Sequence, residues 1–124
     1  MVALKQASIA RLTTALALPS NGQEQDWDVE LADPARIGEF LTAYRSLPLG
    51  SDDRVALMAL MLASVDRRLG SGLGVPSEWS QIANLLGAER DLHRESLEYW
   101  MCEADDEPDT WFHLTPLVRA LGTG

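Results

Sequence analysis

The chain has 124 residues, 46% hydrophobic and 23% charged, which is the size of one domain with enough apolar material for a single core and excludes global disorder. Its formal net charge is −9 at pH 7 and its only cysteine is Cys102, so an intrachain disulfide framework and any multi-cysteine metal site are excluded. A single thiol fits a reducing, cytoplasmic setting, and no apolar run reaches the ~18 residues a membrane-spanning helix needs.

The opening stretch "MVALKQASIARLTTALALPSNG" carries Lys5 and Arg11 and no acid before Glu24, the balance of a targeting segment. Arg11 interrupts its apolar region and no small-x-small cleavage pattern follows. Leu4, Ile9, Leu12 and Leu16 fall near one helical face, so the reading is a first helix. Next comes "DWDVELADP", with acids at every second position. Trp27, Val29 and Leu31 would point one way and Asp26, Asp28 and Glu30 the other, which predicts a short extended segment over 26–31 with its acids in water. The same acids match the first three ligand positions of a calcium loop. Leu31 stands where that loop needs its turning glycine, however, and Ile37 where it needs a bidentate glutamate, so no metal is expected here.

Asp33 and Pro34 form a cap-and-proline pair that opens a helix with Ile37, Phe40, Leu41 and Tyr44 on one stripe, ended by "SLPLGS". Ser51 or Asp52 caps a central helix over 52–69, in which Val55, Leu57, Met58, Leu60, Met61, Leu62, Val65 and Leu69 leave little polar face. Gly70 takes its C-terminal capping position, and "GSGLGVP" reads as a flexible connection. Ser77 caps a helix carrying Trp79, Ile82, Ala83 and Leu86, closed by Gly87. A helix over 89–102 follows, with Leu92, Leu97, Tyr99, Trp100 and Met101 among charges, and Thr115 with Pro116 opens a short last one. About six helices give an all-α fold, a single helical domain over 1–124, most simply antiparallel hairpins around residues 55–65.

Chemistry-bearing patterns are absent. His93 and His113 have no carboxylate at ligand spacing, Cys102 lacks a nucleophile signature, and "GSGLGVP" lacks the lysine and preceding strand of a phosphate loop. The sequence therefore predicts no catalytic, cofactor or metal residues and a chain that is not an enzyme.

Charge is the informative feature. Residues 24–33 carry five acids and no base, and residues 89–109 carry nine acids against Arg90 and Arg94, while the rest of the chain is net positive by three. Such segregation repels phosphate backbones and anionic membranes and attracts basic proteins. Tryptophans beside these tracts have the character of anchors within a charged rim. Trp79 and Trp100 read as core, whereas Trp27 and Trp111 lie among polar neighbours. The expected partner-binding set is Asp26, Trp27, Asp28 and Glu30 with Glu103, Asp105, Asp106, Glu107, Asp109 and Trp111.

The order "WDVELADPARIGEFLTAY", "ALMALMLAS", "EWSQIANLL", "LHRESLEYW" and "LTPLVRAL" resembles small helical immunity proteins of bacterial toxin systems, through pattern and size rather than a residue-specific motif. The resemblance implies a protein that binds a cognate toxin, often a basic enzyme, and blocks it without doing chemistry. It carries over no functional residue. A helical adaptor or regulatory subunit, which needs an exposed apolar groove, and a small metal-dependent hydrolase, which needs clustered ligands, are the alternatives.

Overall fold

The structure, a computed structural model, describes residues 2–102, 105 and 107–122. The regular structure among them is entirely helical: α1 (Gln6–Ala15), α2 (Trp27–Glu30), α3 (Ile37–Ser46), α4 (Ser51–Gly70), α5 (Trp79–Ala88), α6 (Arg94–Met101) and α7 (Thr115–Gly122), with single 3₁₀ turns at Pro34–Arg36 and Pro108–Thr110. The fold is all-α, with one helix more than expected because α2 replaces the extended segment. None of these helices is long and apolar enough to cross a membrane.

α4 is the centre. Its Leu, Met and Ala residues are strong helix formers, and every side chain from Ala56 to Leu62 is buried, as is Val65. α1, α2, α3 and α6 pack on it, and residues from all seven helices, among them Leu12, Trp27, Phe40, Ile82, Trp100 and Val118, join one apolar cluster. Neither Ser51 nor Asp52 caps α4: Gly50 occupies the cap position without a side-chain bond, and Asp52 and Asp53 instead lie in the first turn, where negative charge suits the helix's positive end. Asp53 also staples α1 to α4. Its carboxylate, 7% exposed, accepts from Ser8 Oγ at 2.5 Å and from Arg11 Nη2 and Nε at 2.7 and 3.1 Å. Arg11, and then Ser8 against the cost of burial, hold it below the usual carboxylate range.

Several helix C-termini share one device. A helix end leaves carbonyls without an intrahelical donor, and at α1, α2 and α6 arginines supply the missing N–H groups. Arg36 donates to Leu16 O at the end of α1 (2.5 Å), and Arg67 to Ala32 O and Val29 O at the end of α2 (2.5 and 3.1 Å). Arg119 donates to Met101 O, Cys102 O and Asp105 O beyond α6 (2.7, 2.6 and 3.0 Å). Arg68 donates to Gly74 O and Leu73 O at 3.0 and 3.2 Å, so "GSGLGVP" is a tied loop rather than a loose one. Gly72 and Gly74 supply its left-handed turns, both at φ 78°. Gly70 is the last helical residue, not the left-handed cap. A Cβ there would lie 2.8 Å from the ring of the exposed His113, which would have to shift to admit it.

Other boundaries shift for local reasons. α5 runs through Gly87 to Ala88, and its cap is Glu78 rather than Ser77. The helix expected over 89–102 begins only at Arg94, because residues 89–93 form turns that carry Glu89 and His93 toward Tyr44. At α7 the Leu114 N–H is taken by Asp66 Oδ1 of α4 at 2.9 Å, while the Thr115 hydroxyl lies 3.6 Å from Cys102 Sγ. Cys102 is half-buried and left-handed at φ 49°.

Candidate protein-docking face

α2 is built from the centre of the first acidic tract. A strand there would have no neighbour to pair with, whereas one helical turn brings Trp27 and Leu31, four residues apart, onto the same inward face against α4. Both are buried (3% and 8% exposed) and Val29 is left outside at 40%, so period two does not describe this segment. Glu30 N and Leu31 N donate to Asp26 O and Trp27 O at 2.8 and 3.0 Å, and Glu30 Oε2 reaches back to Asp26 N–H at 2.9 Å. Two expectations for the tract are therefore corrected. Trp27 belongs to the core, its indole N–H donating to Thr13 Oγ1 at 3.2 Å, and is no free anchor. Asp28 is not in water but 7% exposed. Burial, with Asp26 adding, pushes its carboxyl above the ordinary value, against the bonds of its own and Val29's backbone N–H.

α2 separates two concavities. On one side a hollow of about 310 Å³ lies between the chain's first turn and residues 24–28; Glu24, Asp26 and Asp28 line it with Val2, Ile9 and Trp27, and no lysine, arginine or histidine does. On the other side a cleft of about 310 Å³ runs between Val29 and Ala32, the C-terminal end of α4, Trp100 and His113, with Asp66 and Arg67 in its wall.

The second tract adjoins this region through aromatics. Tyr99 contacts Trp100 and Phe112, ring centroids 5.0 Å away in each case, and burial with the charges of Asp28, Asp26 and Asp66 raises its hydroxyl above the usual range. Glu103 and Asp106 lie outside the described residues. Asp105 accepts from the Thr110 hydroxyl and from Glu107 N–H, which hold it below the usual carboxylate range. Glu107 and Asp109 are exposed. Trp111 is half-buried, its N–H on Asp105 O at 2.9 Å and one ring face 3.8 Å from the Arg119 guanidinium, so it braces the loop and offers at most its other face. Tyr99 thus stands within electrostatic reach of the first tract and in ring contact with the segment that follows Trp111.

What distinguishes these acids is that, among the described residues, none is held in a side-chain ion pair, although the Arg119 charge also favours the ionised form of Asp105. Asp53, Glu39, Glu89 and Asp91 each pair with an arginine, at 2.7, 2.9 and 3.0 Å for the Asp53, Glu89 and Asp91 pairs. Among the described residues no lysine, arginine or histidine pairs with Glu24, Asp26, Asp28, Glu30, Asp105, Glu107 or Asp109. The arginines that reach the neighbouring backbone are engaged with other groups: Arg36 with Leu16 O and Glu39, Arg67 and Arg119 with the carbonyls that end α2 and α6.

A buried polar network that sequence reasoning did not anticipate joins α3, α4 and the turn before α6. Arg54 holds Glu89 Oε2 at 2.9 Å, and Tyr44 Oη donates to Glu89 Oε1 at 2.5 Å. The tyrosine proton being so used, the His93 Nε2–H donates to Tyr44 Oη at 2.8 Å, which leaves Nδ1 as a buried lone pair without a partner. Glu89 and His93 stand four apart, a visible helical pair, but Tyr44 lies 49 positions from His93, and nothing in the sequence joins them. Burial lowers the His93 pKa; Glu89 opposes this and Arg54 adds to it. The unfolded chain therefore takes up a proton first as pH falls. The contribution of neutral His93 to stability is complete above the ordinary value of 6.5 and is lost as pH falls below it toward the depressed folded value. The urea midpoint is expected to fall between about pH 7 and pH 5, and the fall to be smaller in His93→Gln. An equal fall in that variant would assign the effect to other groups.

No family model, curated protein or solved structure matches this chain.

Proposed function

We propose that this chain is a non-catalytic protein-binding domain whose acidic face around α2 docks a basic protein, in the manner of an immunity protein that neutralises a basic toxin or nuclease. One observation carries the reading. Among the described residues the arginines cap helix ends and pair with acids such as Asp53, Glu89 and Asp91, while no lysine, arginine or histidine pairs with Glu24, Asp26, Asp28, Glu30, Asp105, Glu107 or Asp109. An uncompensated field of one sign costs the fold self-repulsion and speeds encounter with a partner of the opposite sign. Val29, exposed at the middle of α2, supplies apolar contact inside that field. The test is capture of the partner on the immobilised protein. A partner of basic isoelectric point, released by raising the salt concentration, is expected; a neutral or acidic partner held equally at high salt would overturn the reading.

A further inference from the structure

We propose that α6 and α7 open from the core together as one unit, with the buried face of α6 as the seam and protonation of His93 as the trigger. This device is independent of any docking partner.

The seam is where buried polar groups go unmet. Among the described residues, the buried side-chain nitrogen and oxygen atoms without a hydrogen-bond partner are His93 Nδ1, Ser96 Oγ and Trp100 Nε1. Ser96 and Trp100 follow His93 by three and seven positions, which puts all three on one helical face, and each is at most 2% exposed. One end of this face meets α3 through the Tyr44 hydroxyl; the other stands beside Ala63 and Arg67 of α4. A buried polar group without a partner costs the closed form its lost hydration, and opening returns it to water. This seam therefore parts more readily than an apolar one of the same area.

α6 and α7 are meanwhile fastened to each other. Arg119 of α7 holds Met101 O and Cys102 O at the end of α6 at 2.7 and 2.6 Å, and the ring of Phe112, which leads into α7, packs on Trp100 and Tyr99 with centroids 4.8 and 5.0 Å away. Leu97, Trp100, Leu114 and Val118 also belong to the apolar core, so the closed form prevails at neutral pH and opening is an excursion from it. Acid raises the population of the open form. His93 is wholly buried, and the titratable and charged groups acting on it are Tyr44 from α3, Arg54 from α4 and Glu89 from its own turn. Tyr44 and Arg54 already engage Glu89, so that carboxylate is no free counter-ion, and a proton on Nδ1 has no group placed to accept it. In the open form the ring takes that proton in water, where burial no longer opposes it.

The experiment is native-state hydrogen exchange, read by amide NMR on the whole chain at pH 7.5 and 5.5 over a series of low urea concentrations and corrected for the intrinsic pH dependence of exchange. The amides of residues 97–101 and 118–121 should share one opening, about tenfold or more less protected than residues 57–62 of α4 and with a shallower urea slope, because it exposes less surface than global unfolding. Acidification should lower that shared protection by about tenfold, the effect of one proton taken up by the open form alone. His93→Gln should lose the acid effect. Ser96→Ala, which deletes an unpartnered hydroxyl, should raise the protection of both helices severalfold at both pH values and keep the acid effect. One protection and one urea slope for α4, α6 and α7 would mean that the whole fold opens at once and would overturn the unit. Lowered protection in Ser96→Ala would overturn the seam, and an acid effect undiminished in His93→Gln would overturn the trigger.

Discussion

Leu60→Ala is expected to destabilise the protein by about 2–5 kcal/mol in urea unfolding. Leu60 is fully enclosed at the middle of α4, between the helices that pack on it, so truncation removes the transfer free energy of the leucine and leaves a cavity that rigid neighbours fill only in part. Leu62, equally enclosed, should behave alike. Losses under about 1 kcal/mol at both positions would mean that α4 is not the element around which the fold is built.

Trp27→Ala is expected to cost about 3–5 kcal/mol of stability, the opposite of what an exposed anchor would show. Its ring joins the apolar cluster and its N–H engages Thr13 of α1, so truncation unseats α2 and loosens its link to α1. Trp27→Phe should cost less, because most of the apolar volume is kept and Thr13 is partly solvated. Unfolding curves decide between the roles. Unchanged stability in Trp27→Ala, with a partner off-rate raised by the equivalent of about 2 kcal/mol or more, would restore the anchor.

The helical periodicity of residues 37–44 and 55–65 was legible because those segments bury one continuous face or nearly every side chain, and burial of that kind is written directly in the spacing of apolar residues. The Asp33 cap was legible too, its carboxylate accepting from Ala35 N at 2.9 Å. The segment 26–31 was not. Its alternation satisfies a strand template, yet Trp27 and Leu31 satisfy a helical one equally, and only the surface of α4 decides between them. Caps were misplaced by one or two residues at α4 and α5, where Gly50 and Glu78 hold the positions expected of Ser51 or Asp52 and of Ser77, and the partners that come from far along the chain, Asp66 at the start of α7 and Arg67 and Arg119 at the ends of α2 and α6, were not legible. The charge segregation was visible in the sequence, but its meaning depends on which acids are already paired. Asp91 and Glu89 lie in the acidic second tract and hold arginines, whereas Asp26 and Glu30 do not. Sequence separation cannot sort these cases, because Arg54 reaches Glu89 across 35 positions.

The central claim is that the unpaired acids around α2 steer a basic protein onto this face. Surface-binding kinetics with the captured partner at two ionic strengths test it most directly, using the wild-type chain and the variant Asp26→Asn, Asp28→Asn, Glu30→Gln. For the wild type, the association rate should fall by about tenfold or more as the Debye length shrinks from about 30 Å at 0.01 M to about 8 Å at 0.15 M salt. The triple variant should associate slowly at both concentrations, with its dissociation rate changed less than its association rate. Salt-independent association of the wild type, together with unchanged affinity in the triple variant, would contradict the claim and leave these acids as a charged surface without a docking role.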